Sequence, residues 1–400
     1  MPFFAIYLLV WHLVFASYLL HPSFIMDPHE GELVATIYGM AGTMLVGYAG
    51  ASWIARKMAR RAGQKADAVY ALDLIQVYKF QMVIAFIVVA IFAAAVALRG
   101  APPGLGSIFS LASKSYLDYG AGFVGQIQPL LNVLFLTTGL IERRGFRWSL
   151  RLFAILIFLL LAQRGPMIMM LLQYGALVAF RNAKHWRSFR FTWRFLLVAV
   201  LICATLIEFM DLGQQLRGTA VSSAMKYLRV AQASKHWPLG FLLLSLYLDL
   251  PPSNFIWMLD QNLGGAAGFW AVAQAVPSVF RGDNPLPDYM IPGTVDGAST
   301  YLAPMFLAYG WTGLIVEHLV LGAMCYAISR PNVLRDKPLF AAVLSCQIFV
   351  ACFADSFLNL GYIAEYVLIF IFYKLCSQTL VSRTHIAAGP RQSATPLSAE

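Results

Sequence analysis

Four arginines and three aspartates carry the chemistry this sequence can offer. Arg164, Arg217, Arg281 and Arg229 are fixed cations suited to gripping an anion, and Asp211, Asp249 and Asp296 are loop carboxylates of the kind that serve as a general base. Arg164 lies in the turn Gln163-Arg164-Gly165-Pro166 between two apolar runs. Those runs, Trp148 to Phe180, leave about 16 residues per bilayer crossing, or ~24 Å, which is less than the hydrocarbon thickness. The turn is therefore expected below the outer surface, where a guanidinium is costly unless it faces a wet cavity or an anion. Snorkelling, or pairing with a carboxylate such as Glu208, is the competing account.

Arg217 precedes an amphipathic stretch, Thr219 to Gln232, that reads as a helix lying on the outer leaflet. Gly218 and the potential cap Thr219 set Arg217 apart from that helix, while Lys226 and Arg229 fall on its solvated face. Arg281 opens a proline-rich stretch running to Asp288, where a surface ion pair with Asp283 is the plain alternative to binding. Glu208 and Glu365 lie near outer span ends. Glu317 and His318 sit about a third of the way into a span, where site chemistry and a helix-packing hydrogen bond compete as explanations. Soluble-enzyme signatures are missing: no glycine-rich dinucleotide turn, P-loop, GxSxG, HExxH or CxxC pair. The seven histidines show no i,i+4 pairing, and Cys203, Cys325, Cys346, Cys352 and Cys376 all lie in apolar runs without metal spacing. No metal site and no cofactor are expected.

The elements that must position these groups follow from composition. Of 400 residues, 60% are hydrophobic and only 12% charged, and the mean hydropathy is +0.68. A globular chain carries about 25% charged residues, so this excess of apolar side chains needs the lipid bilayer as its solvent. A secreted disulfide scaffold, a disordered regulator and a soluble enzyme are excluded together. The expected fold is an all-α polytopic membrane protein of about 10 transmembrane helices. These are Phe3 to Leu20, Leu33 to Ile54, Tyr78 to Leu98, Phe123 to Ile141, Trp148 to Ala162, Pro166 to Phe180, Phe191 to Phe209, Trp311 to Ile328, Pro338 to Ala354 and Tyr362 to Cys376. The first reads as a retained span, not a cleaved signal peptide.

Connections after the even-numbered spans, with their flanks, hold 21 of the 29 lysines and arginines. That bias places them, and both termini, in the cytoplasm. It also assigns the net charge of +10 to membrane orientation, not to a nucleic-acid patch.

Four regions result: helical membrane spans over 1–209, a long periplasmic loop over 210–298, three further spans over 299–376, and a disordered cytoplasmic tail over 377–400. The loop greatly exceeds a usual connection and is read as a functional element. Its apolar part, Leu239 to Leu248, ends at Asp249 and Pro251-Pro252, which suits an interfacial or re-entrant segment. In the alternative of 12 spans the chain crosses at Trp237 to Leu259 and returns at Gly264 to Phe280, leaving a cytoplasmic turn with no basic residue. No internal repeat and no broken helices in matched halves, features common in transporters, are evident.

The basic Arg-Gly turn between mid-chain spans, the long extracytoplasmic loop, and then Ser299-Thr300-Tyr301-Leu302-Ala303 followed by Tyr309-Gly310-Trp311-Thr312-Gly313 and Gly322 resemble the bacterial Wzy-type family, the O-antigen or oligosaccharide repeat-unit polymerases. The resemblance covers most of the chain in topology, from about the third span onward, through short motifs. It implies a metal-independent, type C-like membrane glycosyltransferase of the inner membrane. Such an enzyme moves a growing glycan from undecaprenyl diphosphate onto another lipid-linked unit at the periplasmic face. In that setting Arg164, Arg217, Arg281 and Arg229 are expected to bind the diphosphate, and one of Asp211, Asp249 or Asp296 to orient or deprotonate the acceptor hydroxyl. The implied partners are the undecaprenyl diphosphate-linked oligosaccharide, the lipid bilayer, and a chain-length regulator and flippase. An O-antigen ligase, a transporter or flippase of lipid-linked saccharide, and a membrane O-acyltransferase using His318 are the competing readings.

Overall fold

The computed structural model describes residues 2–18, 30–62, 69–104, 122–141, 143–161, 163–181, 251–269, 300–351 and 359–380. In chain order the elements are α1 (Pro2–Tyr18), α2 (Glu30–Ala62), β1 (Val69–Leu72), α3 (Leu74–Arg99), a 3-10 turn (Gly122–Gln126) entering α4 (Ile127–Thr138), α5 (Arg144–Leu160) and α6 (Arg164–Arg181). They continue with α7 over 251–260, α8 (Leu302–Ser329), α9 (Pro331–Asp336), α10 (Pro338–Val350), α11 (Leu360–Cys376) and β2 (Ser377–Leu380). Nine of the ten apolar runs thus fall on helices, while Phe191 to Phe209 lies outside the described residues. Among the described residues, three helices are long and apolar enough to cross a bilayer, at Gly31–Met58, Leu74–Arg99 and Leu302–Ser329. The protein is an α-helical, membrane-embedded bundle.

Local chemistry sets several boundaries. The Asp73 carboxylate caps α3 by accepting from the Ile75 and Gln76 amides, and the Asn359 side chain caps α11 from Gly361. Pro331 and Pro338 open α9 and α10, where the missing N–H costs nothing.

Side chains divide into two main cores. One gathers α1, α2, α7 and α8, the other α3 to α6 and α11, and α10 contributes buried residues to both. A helix buried on nearly all sides must be largely apolar, and Pro338–Val350 carries only Ser345 and Gln347 as polar side chains, each hydrogen-bonded inside the bundle. The outward faces are also apolar: Val83, Phe86 and Leu98 on α3 are exposed, and only 22% of that helix's apolar window is buried. In water such a surface would aggregate; against lipid it is the expected finish.

The β1–β2 ribbon departs from a purely helical expectation. Val69 pairs with Leu380 and Leu72 with Ser377, and the Asp73 amide donates to the Cys376 carbonyl at 2.8 Å. It removes Ser377 to Leu380 from the expected disordered tail, because backbone pairing gives a polar segment a reason to order. It also fixes the start of α3 and the end of α11 at one end of the bundle. At that same end Arg181 donates to the Gly139 carbonyl, the Lys337 ammonium lies 6.0 Å from the Tyr373 ring, and Phe3 meets Phe180.

The largest departure is in α8. Hydropathy starts this span at Trp311, but its helical backbone begins at Leu302 and breaks at Gly310 (φ 61°, ψ −148°), a conformation open to glycine and strained for other residues. The two pieces fold back on each other. A Cβ on Gly313 would meet the Met305 carbonyl oxygen, and the Phe306 and Trp311 rings are 5.6 Å apart. Residues 302–309 therefore form a re-entrant half-helix beside 311–329. The sequence shows no broken helix in matched halves, yet one broken helix exists, since a single glycine suffices to break one without leaving a repeat. The break frees the Phe306 and Leu307 carbonyls, which accept from the Gly265 and Ala267 amides at 2.9 and 3.0 Å.

Those donors belong to the region expected to be a periplasmic loop. The proline pair Pro251-Pro252, read as closing an apolar segment, is helical and is followed by Phe255, Ile256 and Met258, which are buried in the first core; the segment before it lies outside the described residues. The following turn uses left-handed Asn262, Gly265 and Gly268 to bring its amides onto the broken helix. Leu239 to Leu248, expected to be re-entrant, lies outside the described residues, as do the remainder of both 12-span crossings.

Candidate functional site

Arg164 is the first residue of α6. The preceding turn is tight, with the Gln163 amide donating to the Phe158 carbonyl at 3.0 Å and the Gln163 carbonyl accepting from Met167. Helix α5 has 17 residues and α6 has 18, ~26 and ~27 Å, so the turn joins two helices each shorter than the hydrocarbon core. The Gln163 amide oxygen is buried without a hydrogen-bond partner among the described residues. Arg217, Arg229, Arg281, Asp211, Asp249 and Asp296 lie outside the described residues, and so do Glu208 and Asp288. The seven predicted groups are thus neither brought together nor separated by what is described.

Among the described residues, two polar constellations stand out within the bundle. The first is assembled by the Gly310 break. The Nδ1 of His318 lies 2.7 Å from the Leu314 carbonyl, its own helix's backbone, and a carbonyl can only accept. The proton is therefore on Nδ1, which leaves Nε2 as an acceptor for the Tyr301 hydroxyl. With its proton committed to His318, Tyr301 accepts from Tyr7 of α1, whose hydroxyl is 3.1 Å away. The result is a buried hydroxyl–hydroxyl–imidazole chain crossing from α1 to both halves of α8. Thr300, just before the half-helix, is buried with an unpartnered hydroxyl among the described residues, and the carboxylate oxygens of Glu317 are buried nearby in sequence. Such a chain can hold and pass a proton along its length.

The second constellation surrounds Glu365, about 8 Å into α11 from its start. Asn132 of α4 donates to one carboxylate oxygen at 2.5 Å, and Gln173 of α6 donates to the other at 2.6 Å. All three side chains are fully buried. Cys346 of α10 closes the surroundings, its thiol directed at the Met169 carbonyl. Next in sequence, Tyr366 donates to Gln347 at 2.6 Å. Glu365 is legible in the sequence as an intramembrane carboxylate. Asn132 and Gln173 do not stand out there, although each is a lone amide inside an otherwise apolar run, and that is the signal that would have found them.

A third buried polar group is a cation. In sequence Arg151 reads only as a cytoplasmic flank, but its guanidinium is enclosed by the Phe135, Trp148 and Tyr174 rings, 4.3 Å from the Tyr174 centroid. It donates to the Thr138 hydroxyl at 2.9 Å and to the Tyr174 hydroxyl. Ring faces and hydroxyls hold this charge in place of a carboxylate, a mode open to a planar, weakly hydrated guanidinium.

No group of three or more His, Cys, Asp or Glu side chains with metal-binding geometry occurs among the described residues. The chain matches no family model, no curated protein and no solved structure in comparisons with each.

Proposed function

We propose that this protein polymerises lipid-linked oligosaccharide repeat units, as a type C-like glycosyltransferase of the bacterial inner membrane. In this reading about ten spans place the 210–298 region toward the periplasm and both termini in the cytoplasm. The substrate is an undecaprenyl diphosphate-linked oligosaccharide, an amphiphile with a dianionic joint at headgroup depth. Its site needs an apolar groove, fixed cations at that depth and room outside for sugars. Arg164, Arg217, Arg281 and Arg229 supply the cations, because guanidinium forks match phosphate oxygens. As the glycosidic bond to the carrier breaks, charge grows on the departing diphosphate, where preorganised donors stabilise it. One of Asp211, Asp249 or Asp296 orients or deprotonates the acceptor hydroxyl. A chain-length regulator and a flippase are the natural protein partners.

The observation that supports this reading most is the entry of the long inter-span region into the bundle. Irregular backbone at membrane depth is tolerated where it is buried in protein or lines a cavity, and such loops commonly carry function. The irregular turn over 261–269 and the break at Gly310 meet beside apolar helices, where the Gly265 and Ala267 amides donate to the Phe306 and Leu307 carbonyls. Ligase-type transfer of a finished glycan uses the same groups with a different acceptor. Transport of a lipid-linked saccharide gains support from one feature, the helix broken at Gly310.

The lipid-linked pool of a deletion strain separates these readings. Single units accumulating on the periplasmic side support polymerisation. Full-length polymer left on its carrier supports ligation, and single units held on the cytoplasmic side support transport; either result refutes the polymerase.

A further inference from the structure

The geometry points to a binding site for a small monovalent cation formed by Glu365, Asn132 and Gln173. Three facts carry it. The carboxylate is fully buried, and the groups that satisfy it are two neutral amides. Among the described residues no lysine, arginine or histidine pairs with it, and its other neighbours are the Cys346 thiol and Tyr366. An ionised carboxylate so placed carries a desolvation cost that neutral donors do not cancel. Finally, the Asn132 Oδ1 and Gln173 Oε1 atoms are both buried without a hydrogen-bond partner among the described residues. Two acceptors without donors therefore flank an anion without a counter-charge.

A cation would supply the missing counter-charge and a partner for both amide oxygens. Rotating each terminal amide by half a turn exchanges its nitrogen for its oxygen, giving up the hydrogen bond to the carboxylate for a place in the ion's coordination. Two amide oxygens and two carboxylate oxygens then converge, the ligand type that hard cations take. A monovalent ion leaves the site neutral, whereas a divalent one would leave a buried net charge. A proton on the carboxylate is the alternative, and dependence on sodium separates the two. The ligands come from α4, α6 and α11, so occupancy would tie three helices of the second core together. None of its three residues is among the arginines and aspartates assigned to the lipid-linked substrate, and the proposal does not depend on that assignment.

The test uses the full-length protein in lipid nanodiscs. Equilibrium binding of radioactive sodium is measured alongside the thermal midpoint in NaCl, KCl and choline chloride at equal ionic strength. One sodium per chain is expected, with a sodium-specific rise in midpoint. In Glu365→Gln the apparent affinity should weaken at least tenfold. Absence of sodium binding to the wild-type protein would overturn the proposal however the variant folds. So would stabilisation that grows with acidity and ignores sodium, which marks a proton on the carboxylate. Undiminished sodium binding by Glu365→Gln would place the ion elsewhere and overturn it equally.

Discussion

The carbonyl oxygen of Met44 occupies the space that a side chain at position 322 would need: a Cβ on Gly322 would fall 2.0 Å from it. The contact is reciprocal, since a Cβ on Gly47 would lie 2.3 Å from the Leu319 carbonyl oxygen. Two glycines thus let α2 and α8 touch backbone to backbone, the close approach that drives helix association where lipid offers no hydrophobic contrast. The obstacle is backbone and cannot rotate aside. Gly322→Ala is expected to force the helices apart and destabilise the bundle by about 1–3 kcal/mol, read as a lower thermal midpoint in detergent. Gly39→Ala, on an open face of the same α2, should leave the midpoint unchanged or slightly raised.

Gly310 makes a sharper demand, because its backbone and not its surroundings excludes other residues. At φ 61° and ψ −148° an L side chain is strained by about 1–3 kcal/mol. Relief by straightening α8 would separate Tyr301 from His318 by ~25 Å and withdraw the carbonyls that hold Gly265 and Ala267. Gly310→Ala should therefore lose both stability and surface polysaccharide. Gly50→Ala, on an open face of α2, is the matched control. Polymer output unchanged in Gly310→Ala would show that the re-entrant half-helix is not needed for function.

The two glycines also mark what sequence reading can and cannot reach. Apolar runs locate nine described helices because bilayer thickness imposes a length that composition alone reveals. The same arithmetic puts Arg164 between two apolar runs, and it is the first residue of α6. The hairpin in α8 escapes because the break rests on the backbone at Gly310, and hydropathy does not register the sign of φ. Helix α7 escapes because a proline pair is ordinarily read as the end of a regular element. Asn132, Gln173 and Arg151 need three-dimensional neighbours to acquire meaning; in sequence they are isolated polar residues or span flanks.

Hydrogen-bond direction in the first constellation predicts an asymmetry. Tyr301→Phe removes the hydroxyl that both donates to His318 and accepts from Tyr7, leaving two buried groups unsatisfied. Tyr7→Phe deletes the donor at the chain's end and leaves one buried donor, the Trp11 indole, without its acceptor. Unsatisfied buried groups cost about 1–3 kcal/mol each, so Tyr301→Phe should lower stability clearly more than Tyr7→Phe. Denaturation of the two single variants and the double variant gives the coupling. If Tyr7→Phe proves the more damaging, the proton runs the other way and His318 holds it on Nε2.

Arg164 allows the functional proposal to be tested at a point where the fold is known. If it grips a diphosphate with a planar fork, lysine keeps the charge but loses the bidentate geometry, and Arg164→Lys should reduce polymer output without reducing protein level. Loss of one charge-assisted hydrogen bond is worth about 1.5–3 kcal/mol, hence about a 10- to 100-fold fall in rate. Arg217→Lys should behave alike, and unchanged polymer length in both variants would remove the diphosphate assignment. Sidedness can be checked independently at the adjacent Gly165, which is exposed and would have nothing within 4 Å of an added Cβ. In a background with the five native cysteines replaced, Gly165→Cys should react with an impermeant maleimide added to the periplasmic side of spheroplasts. Labelling only after the cytoplasmic side is opened would invert the bundle and put the arginine on the wrong face for a lipid-linked donor.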